Sequence, residues 1–402
     1  MKGGKEQNWK QGARMNELLH ELNGYVEGWK QELHELSDYV WEHPELAYKE
    51  HLACAKQVEL LKAHGCDVMT PAYDIDTAYA TEYANGEGPV FAVAAEYDAL
   101  PGVGHGCGHN LICASGVAGF LAARSAMKAH DIKGRLILLG TPAEESGGGK
   151  VLMLRRGCLD GVNAVMMLHP RSYSLPDPGS TAIRRFTVEF KGKAVHASDP
   201  ANGKNALDAV MLLFAGVNAY RQQMPEFTRI HGIVQDGGKA PNIIPDHASA
   251  YFFVRSIDDA WEDRLEERFR KIVAGAAMMT DTEYTITPSG VPCMSRKPNQ
   301  PMNALFCQLM MEQGLVPDLS RMGDNRGSSD FGDFSHKCPG IHGYFGIADH
   351  DLPGHSVEMA QAAKGDMGFE NAMKAAAVMS AIAIRFLTDA AFRDEVKKDF
   401  AK

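Results

Sequence analysis

Clusters of lysine and arginine are missing from this chain: its 41 Lys and Arg are scattered among 51 Asp and Glu, for a formal net charge of -10 at pH 7. Nucleic acid or an anionic membrane surface would be repelled, so a small ligand is expected in place of a polyanion. Long apolar runs are missing too. The most apolar stretch near the C-terminus, AAAVMSAIAI (375–384), is closed by Arg385, and VAGFLAA is closed by Arg124, so neither has the length of a bilayer span. The first residues, MKGGKEQNWKQGARMNELLHEL, hold no apolar signal-peptide core, and the eight cysteines (54, 66, 107, 113, 158, 293, 307, 338) show no compact disulfide spacing. Reduced thiols in a cytoplasmic protein, with no membrane and no nucleic-acid partner, are the expectation. No internal repeat or low-complexity tract stands out.

What is present is enough apolar residue, 45% of 402, to bury a large core in two domains or in one domain carrying an insertion. Residues from about 15 to 65 carry apolar positions at helical spacing, interrupted by HPELAYKE (43–50), where Pro44 predicts a helix start with acidic residues in its first turn. PVFAVAAEYDALPG (89–102) reads as a buried strand running into charged residues and a Pro-Gly breaker. LICASGVAGFLAARSAMKAH (111–130) is Ala-rich and helical, RLILLGTPAEESGGG (135–149) is a strand ending in two carboxylates, and NAVMMLHP (163–170) is a strand ending in histidine. Three apolar strands thus reach polar clusters at their C-terminal ends, where open α/β sheets keep their ligand sites.

From about 181 the texture changes. TAIRRFTVEFKG alternates like a half-exposed strand, a helix follows from Asn205, strands come at 230–236 and 248–255, then a helix over 259–278 and a strand at 283–287. That β-α-β-β-α-β order predicts a split-βαβ sandwich inserted at 181–292 into a larger α/β domain built from 1–180 and 293–402.

GHGCGHN (104–110) poses the chemical question, because Cys107 and His109 could be metal ligands, a thiol with its base, or turn residues in a glycine-rich loop. Together with Glu145 and His169 at other strand ends they form the thiolate, imidazole and carboxylate donor set that borderline divalent metals take. A catalytic metal site also needs a proton acceptor beside the metal, and Glu144 is placed for it. Adjacent side chains of an extended strand point apart, so Glu144 and Glu145 share the site only if the strand end is irregular, as SGGG would permit.

These residues carry a resemblance. AEYDALPGVGHGCGHNLI, TPAEESGGGK, MMLHP, GKAVHAS, APNIIPDHASAYFFVRS and GSSDFGDFSHKCPGIHGYFGI followed by GHS, in that order, resemble the motifs of the dinuclear-metal aminoacylase/carboxypeptidase family, in its amidohydrolase branch. The AEYDALPG and CGHN forms are most similar to the cytosolic dipeptidase and p-aminobenzoyl-glutamate hydrolase groups. The resemblance implies a zinc-exopeptidase-like catalytic domain, with a mixed, mostly parallel sheet flanked by helices. The ferredoxin-like insert would be a lid and dimerisation domain.

The resemblance further implies two divalent ions per subunit, Zn foremost because of the thiolate, with Mn, Co or Ni taking the same donors. Cys107 would be shared between the ions, with His109, Glu145, His169 and His355 completing the set; His342 or His350 remains open as the last ligand instead. Glu144 would be the general base, and His196, Asn242 and Arg255 would face the substrate carboxylate and the developing oxyanion. His196 would do so in the partner subunit of a homodimer. Asn110 stands where the branch more often has Asp, and Glu96-Tyr97-Asp98 where it often has Asp-Met-Asp. The function implied is hydrolysis of an N-acyl or aminoacyl amino acid with a free carboxylate by activated water. Two other readings stay open: a cysteine nucleophile, Cys107 with His105 or His109 as base, and a metal-free binder of amino-acid conjugates.

Overall fold

The computed structural model describes residues 3–323 and 327–402, and side chains from Met15 onward. The domain ranges read from sequence also include 1–2 and 324–326, which lie outside the described residues. The described residues divide into two compact units: those within 3–179, 297–323 and 333–402 form one, those within 180–296 and 327–332 the other.

The first unit is a six-stranded sheet with helices. Its strands are β1 (Val68–Met69), β2 (Tyr79–Asn85), β3 (Val90–Ala95), β4 (Gly134–Gly140) and β5 (Ala164–Arg171); the sixth, Gly340–Gly346, is β10 once four strands of the second unit are counted. The order is β1-β2-β4-β3-β5-β10. The pairs β3–β4, β3–β5 and β5–β10 are parallel, while β1–β2 and β2–β4 are antiparallel, so the sheet is mixed and mostly parallel. Every residue of β3 (VFAVAA) is buried, as an inner parallel strand covered on both faces requires.

The helix His109–Ala129 is long and apolar enough to span a bilayer, yet it is buried inside the unit's core, where it packs on Asp366–Thr388. Gly119 makes that packing close: a Cβ there would stand 2.8 Å from the Met379 sulfur, and Ser380 Oγ–H donates to the Gly119 carbonyl at 2.9 Å. Arg124, which breaks the apolar run in the sequence, leaves the helix to donate to the His64 carbonyl.

Pro44 does not start a helix. One helix ends at Glu42 and the next spans His51–Ala63, with residues 43–50 irregular between them. The acidic residues expected in a first turn act from outside it: Glu45 Oε2 accepts the backbone N–H groups of Leu52 and Ala53 at 2.8 and 3.0 Å, and so caps the later helix. Glu50, fully buried, accepts from Tyr48 N–H and Ala143 N–H with one oxygen and ties this connection to the loop after β4.

In the second unit β6 (Ala182–Lys191), β7 (Arg229–Asp236), β8 (His247–Ser256) and β9 (Glu283–Pro288) pair antiparallel in the order β7-β8-β6-β9. Helices Ala206–Tyr220 and Asp259–Thr280 cross between them, which gives a ferredoxin-like split βαβ unit. Asn205 and Asp258 cap those helices through their side-chain oxygens. Phe186, Val188 and Phe190 on alternate positions of β6 meet Leu213, Val217, Phe269 and Val273 of the helices in one apolar cluster. Residues Gly327–Gly332 return to this unit, where Gly327 O accepts from Thr181 N–H at 2.8 Å, a return the sequence texture does not signal.

Candidate metal centre

The C-terminal ends of β3, β4 and β5 and the loops that follow converge in the first unit. β3 runs into Glu96 and Asp98, both buried just past its last residue, Ala95. The loop that follows ends at Gly108, in left-handed backbone (φ 71°), where a Cβ would stand 2.5 Å from Pro170. Glycine there lets the chain turn into the helix that begins at His109.

His109 is fully buried, and its Nδ1–H donates to Asp98 Oδ1 at 3.0 Å. The other oxygen of Asp98 accepts the backbone N–H of Glu145 at 3.0 Å, so one carboxylate orients the imidazole and holds the loop after β4. Burial pushes the Asp98 carboxyl up and the His109 imidazole down, but their mutual hydrogen bond and charge outweigh it: Asp98 is held below its ordinary range and His109 well above.

The loop after β4 answers the question posed by two adjacent glutamates. Ala143 has left-handed backbone (φ 63°) and residues 144–147 form a turn, so the alternation of an extended strand does not apply. Donor atoms of Glu144, Glu145 and His109 lie within 4.8 Å of one another. Glu145 Oε1 stands 3.8 Å from His109 Nε2, and its Oε2 stands 3.8 Å from His355 Nε2.

His169, at the end of β5, donates Nδ1–H to the Pro170 carbonyl at 2.7 Å, which leaves its Nε2 as the basic nitrogen. Its ring packs against His109 at 5.6 Å and against His342 at 5.3 Å. Cys107, Glu145 and His355 form a second group with donor atoms within 4.8 Å, His355 being exposed and in left-handed backbone (φ 58°). Neither His342 nor His350 falls in such a group among the described residues; His342 is buried, and exposed His350 pairs with Asp349 at 2.6 Å. The donors sorted from the sequence, Cys107, His109, Glu145, His169 and His355, thus fall into two groups that meet at His109 and Glu145.

The chemistry of these atoms suits a divalent cation. His109 Nε2 and Glu145 Oε1 are buried without a hydrogen-bond partner, and burying such acceptors unsatisfied costs about 1–3 kcal/mol each. A cation satisfies both. A thiol-nucleophile arrangement is poorly served: burial and the Glu145 charge push the Cys107 thiol well above its ordinary value. His105, driven to about 4 by burial and the neighbouring His109, donates Nε2–H to the Val40 carbonyl at 2.9 Å.

His196, Asn242 and Arg255 all lie in the second unit. Exposed His196 sits on a segment that pairs with the one bearing exposed Asn242, through Ala197 N–H to Asn242 O at 2.9 Å; its Nδ1 accepts from Ser198. Half-buried Arg255, on β8, has an Nε–H without a partner, and burial together with Arg185 lowers its affinity for its proton.

Glu50, Glu96, Asp98 and Lys150 were not assigned roles from the sequence, although the last three lie within the family motifs. The i, i+2 carboxylates after an apolar strand were the available signal for Glu96 and Asp98. Nothing local marks Glu50, which reaches the loop after β4 from 93 residues away. Burial raises its pKa from the ordinary 4.5 to about 7. A carboxyl with a raised folded pKa stabilises the fold most below its unfolded pKa and loses that contribution as pH rises through the folded one. The melting-temperature difference between metal-free wild type and Glu50→Gln should therefore move in favour of the variant from about pH 4.5 to about pH 7 and level off above. A pH-independent difference would show that Glu50 is not buried as a titrating acid.

Residues 179–278 match the sequence profile described as a peptidase dimerisation domain. The Xaa-Arg dipeptidase of Mus musculus is 32% identical over 382 residues, covering 91% of this chain and 88% of that protein. One of the polypeptides of the Escherichia coli p-aminobenzoyl-glutamate hydrolase is 30% identical over 313 residues, 73% of this chain and 65% of that one. Among solved structures, a dinuclear metal-binding peptidase of the M20 family from Bacillus subtilis superposes with TM-score 0.67 at 20% identity, covering 89% of this chain and 99% of its own. An aminobenzoyl-glutamate utilization protein from Klebsiella pneumoniae does so with TM-score 0.64 at 20% identity, covering 92% and 98%. With relatives this similar along nearly its whole length, the chain belongs to the M20 family of metallopeptidases, in its amidohydrolase branch, and is a hydrolase of linear amide or peptide bonds.

Proposed function

We propose that this enzyme hydrolyses the amide bond of an N-acyl or aminoacyl amino acid with a free carboxylate, as a metal-dependent amidohydrolase or dipeptidase. The observation that carries the reading is the pair of buried, partnerless donor atoms, His109 Nε2 and Glu145 Oε1, 3.8 Å apart among further thiol, imidazole and carboxylate donors. Cys107, His109, Glu145, His169 and His355 would hold two divalent ions, zinc by preference for the thiolate, with Mn, Co or Ni suiting the same set. Such ions supply Lewis-acid polarisation of the scissile carbonyl and a water acidic enough to react near neutral pH.

The chain's own residues do the rest. Asp98 keeps the His109 proton on Nδ1, so that Nε2 faces the centre as a donor. Glu144 takes the proton of the attacking water and delivers it to the leaving amine. Arg255, whose Nε–H lacks a partner, suits the substrate carboxylate, and His196 with Asn242 suits the oxyanion. The match of the second unit to a dimerisation domain supports a homodimer, and eight free cysteines suit the reducing cytoplasm.

The test is release of free amino acid from a panel of dipeptides, N-acyl amino acids and p-aminobenzoyl-glutamate. Chelation is expected to abolish turnover and a divalent ion to restore it. A thiol alkylator should act slowly while metal shields Cys107. Chelator-insensitive activity that an alkylator destroys rapidly would replace this reading with the cysteine-nucleophile one.

A further inference from the structure

We propose that Glu96 is a direct ligand of this metal centre, giving Oε2 to the cation shared by His109 and His169, with Lys150 bracing its other oxygen. The inference rests on the metal-centre reading and adds a carboxylate that the donor set implied by the motifs does not include. Glu96 stands at the end of β3 with no solvent exposure, and Oε1 is held by the equally buried Lys150 Nζ at 2.5 Å. Oε2 has no hydrogen-bond partner, and it stands 3.4 Å from His109 Nε2, which has none either.

Two acceptors do not approach one another in a dry interior without a positive centre between them. Because Nδ1–H of His109 is directed at Asp98, Nε2 carries a lone pair in the neutral ring and a proton in the imidazolium that the surrounding carboxylates favour without a metal, while Oε2 carries only lone pairs. Either a proton on Nε2 or a cation reconciles the two. The distance suits the cation: nitrogen and oxygen ligands at about 2.1 Å from one ion, at a tetrahedral angle, stand about 3.4 Å apart. Donor atoms of Glu96, His109 and His169 also lie within 4.8 Å of one another. Three protein donors around one position are the number that leaves a catalytic site open for water or substrate.

Lys150 has a defined part. By binding one oxygen it fixes the carboxylate rotamer, so Glu96 presents a single oxygen, and it offsets one of the negative charges gathered there. Glu96 would thus be a one-oxygen ligand on a rigid brace. The competing account is that Glu96 serves only as counter-ion to a buried lysine, a pair whose removal from one side alone is destabilising.

Glu96→Gln separates the two, because its amide oxygen still accepts from Lys150 while the ligand oxygen is lost. Zinc stoichiometry and affinity, measured by competition with a chromophoric chelator, should show one of two ions bound at least 10-fold more weakly. The visible spectrum of the cobalt-substituted protein should change in shape. A double variant, Glu96→Gln with Lys150→Met, removes both charges and guards against misfolding of the single one; it should show the same loss of metal. If Glu96→Gln binds two ions as tightly as wild type with an unchanged cobalt spectrum, or if the double variant recovers wild-type binding, Glu96 is only the counter-ion of Lys150 and the inference falls. A wild-type protein that binds no metal at all would overturn the metal-centre reading itself, a separate outcome.

Discussion

Glu144→Gln is expected to keep its fold and its metal while losing about 10²–10⁴-fold in kcat, the usual worth of a positioned general base. Glu145→Gln should behave differently: metal content falls, and activity falls with it. The grounds lie in how the turn after β4 presents the two side chains. Left-handed Ala143 lets them share one side; Glu145 is then pinned by its backbone N–H to Asp98, and its two oxygens reach toward His109 and His355, 3.8 Å from each. Glu145 therefore spans the two donor groups, whereas Glu144 has donor atoms near His109, Glu145 and Glu96 and shares no group with Cys107, His169 or His355. Metal analysis and steady-state kinetics on both variants decide the matter. If Glu144→Gln lost metal while Glu145→Gln kept it, base and ligand would exchange names.

His196→Ala carries the second large effect, an expected loss of about 10²–10³-fold in kcat with metal content and dimerisation unchanged, the common cost of one oxyanion donor. His196 is exposed on the second unit; Ser198 occupies its Nδ1, so the proton sits on Nε2, ready to be donated. Mixing His196→Ala with Glu144→Gln tests whether it serves the partner subunit: in a heterodimer one site would combine an intact Glu144 with the partner's intact histidine, and activity should reappear. After proof that subunits exchange, a mixture as inactive as its parents would confine His196 to its own chain.

Much of the architecture was legible from periodicity. The alternation of TAIRRFTVEFKG and the spacing of the segments after it led to the split βαβ unit, because each residue's side on a strand or helix is set by local geometry. The motif residues Cys107, His109, Glu144, Glu145 and His169 were legible because short strands of a mostly parallel sheet deliver their ends to one edge. Pro44 misled for a definite reason: a helix start signalled by proline and acidic residues lost to an irregular connection in which Glu45 caps a later helix and Glu50 reaches the loop after β4.

Sequence alone therefore determined the elements of the split βαβ unit, three buried strands of the first unit and the family, all of which are local patterns or their succession. Tertiary structure decided which atoms face each other. Glu96 was one more carboxylate in a motif until folding put its Oε2 3.4 Å from His109 Nε2 with Lys150 behind it, and Glu50 was unmarked until the two loops met. His355, His350 and His342 could not be ranked from a stretch of 14 residues; the backbone turns one toward Cys107 and Glu145, another under His169 and the third onto Asp349. The reason is physical: which side of a strand or helix a residue occupies follows from its neighbours in the chain, but the distance between donor atoms on separate loops follows only from how the whole core packs.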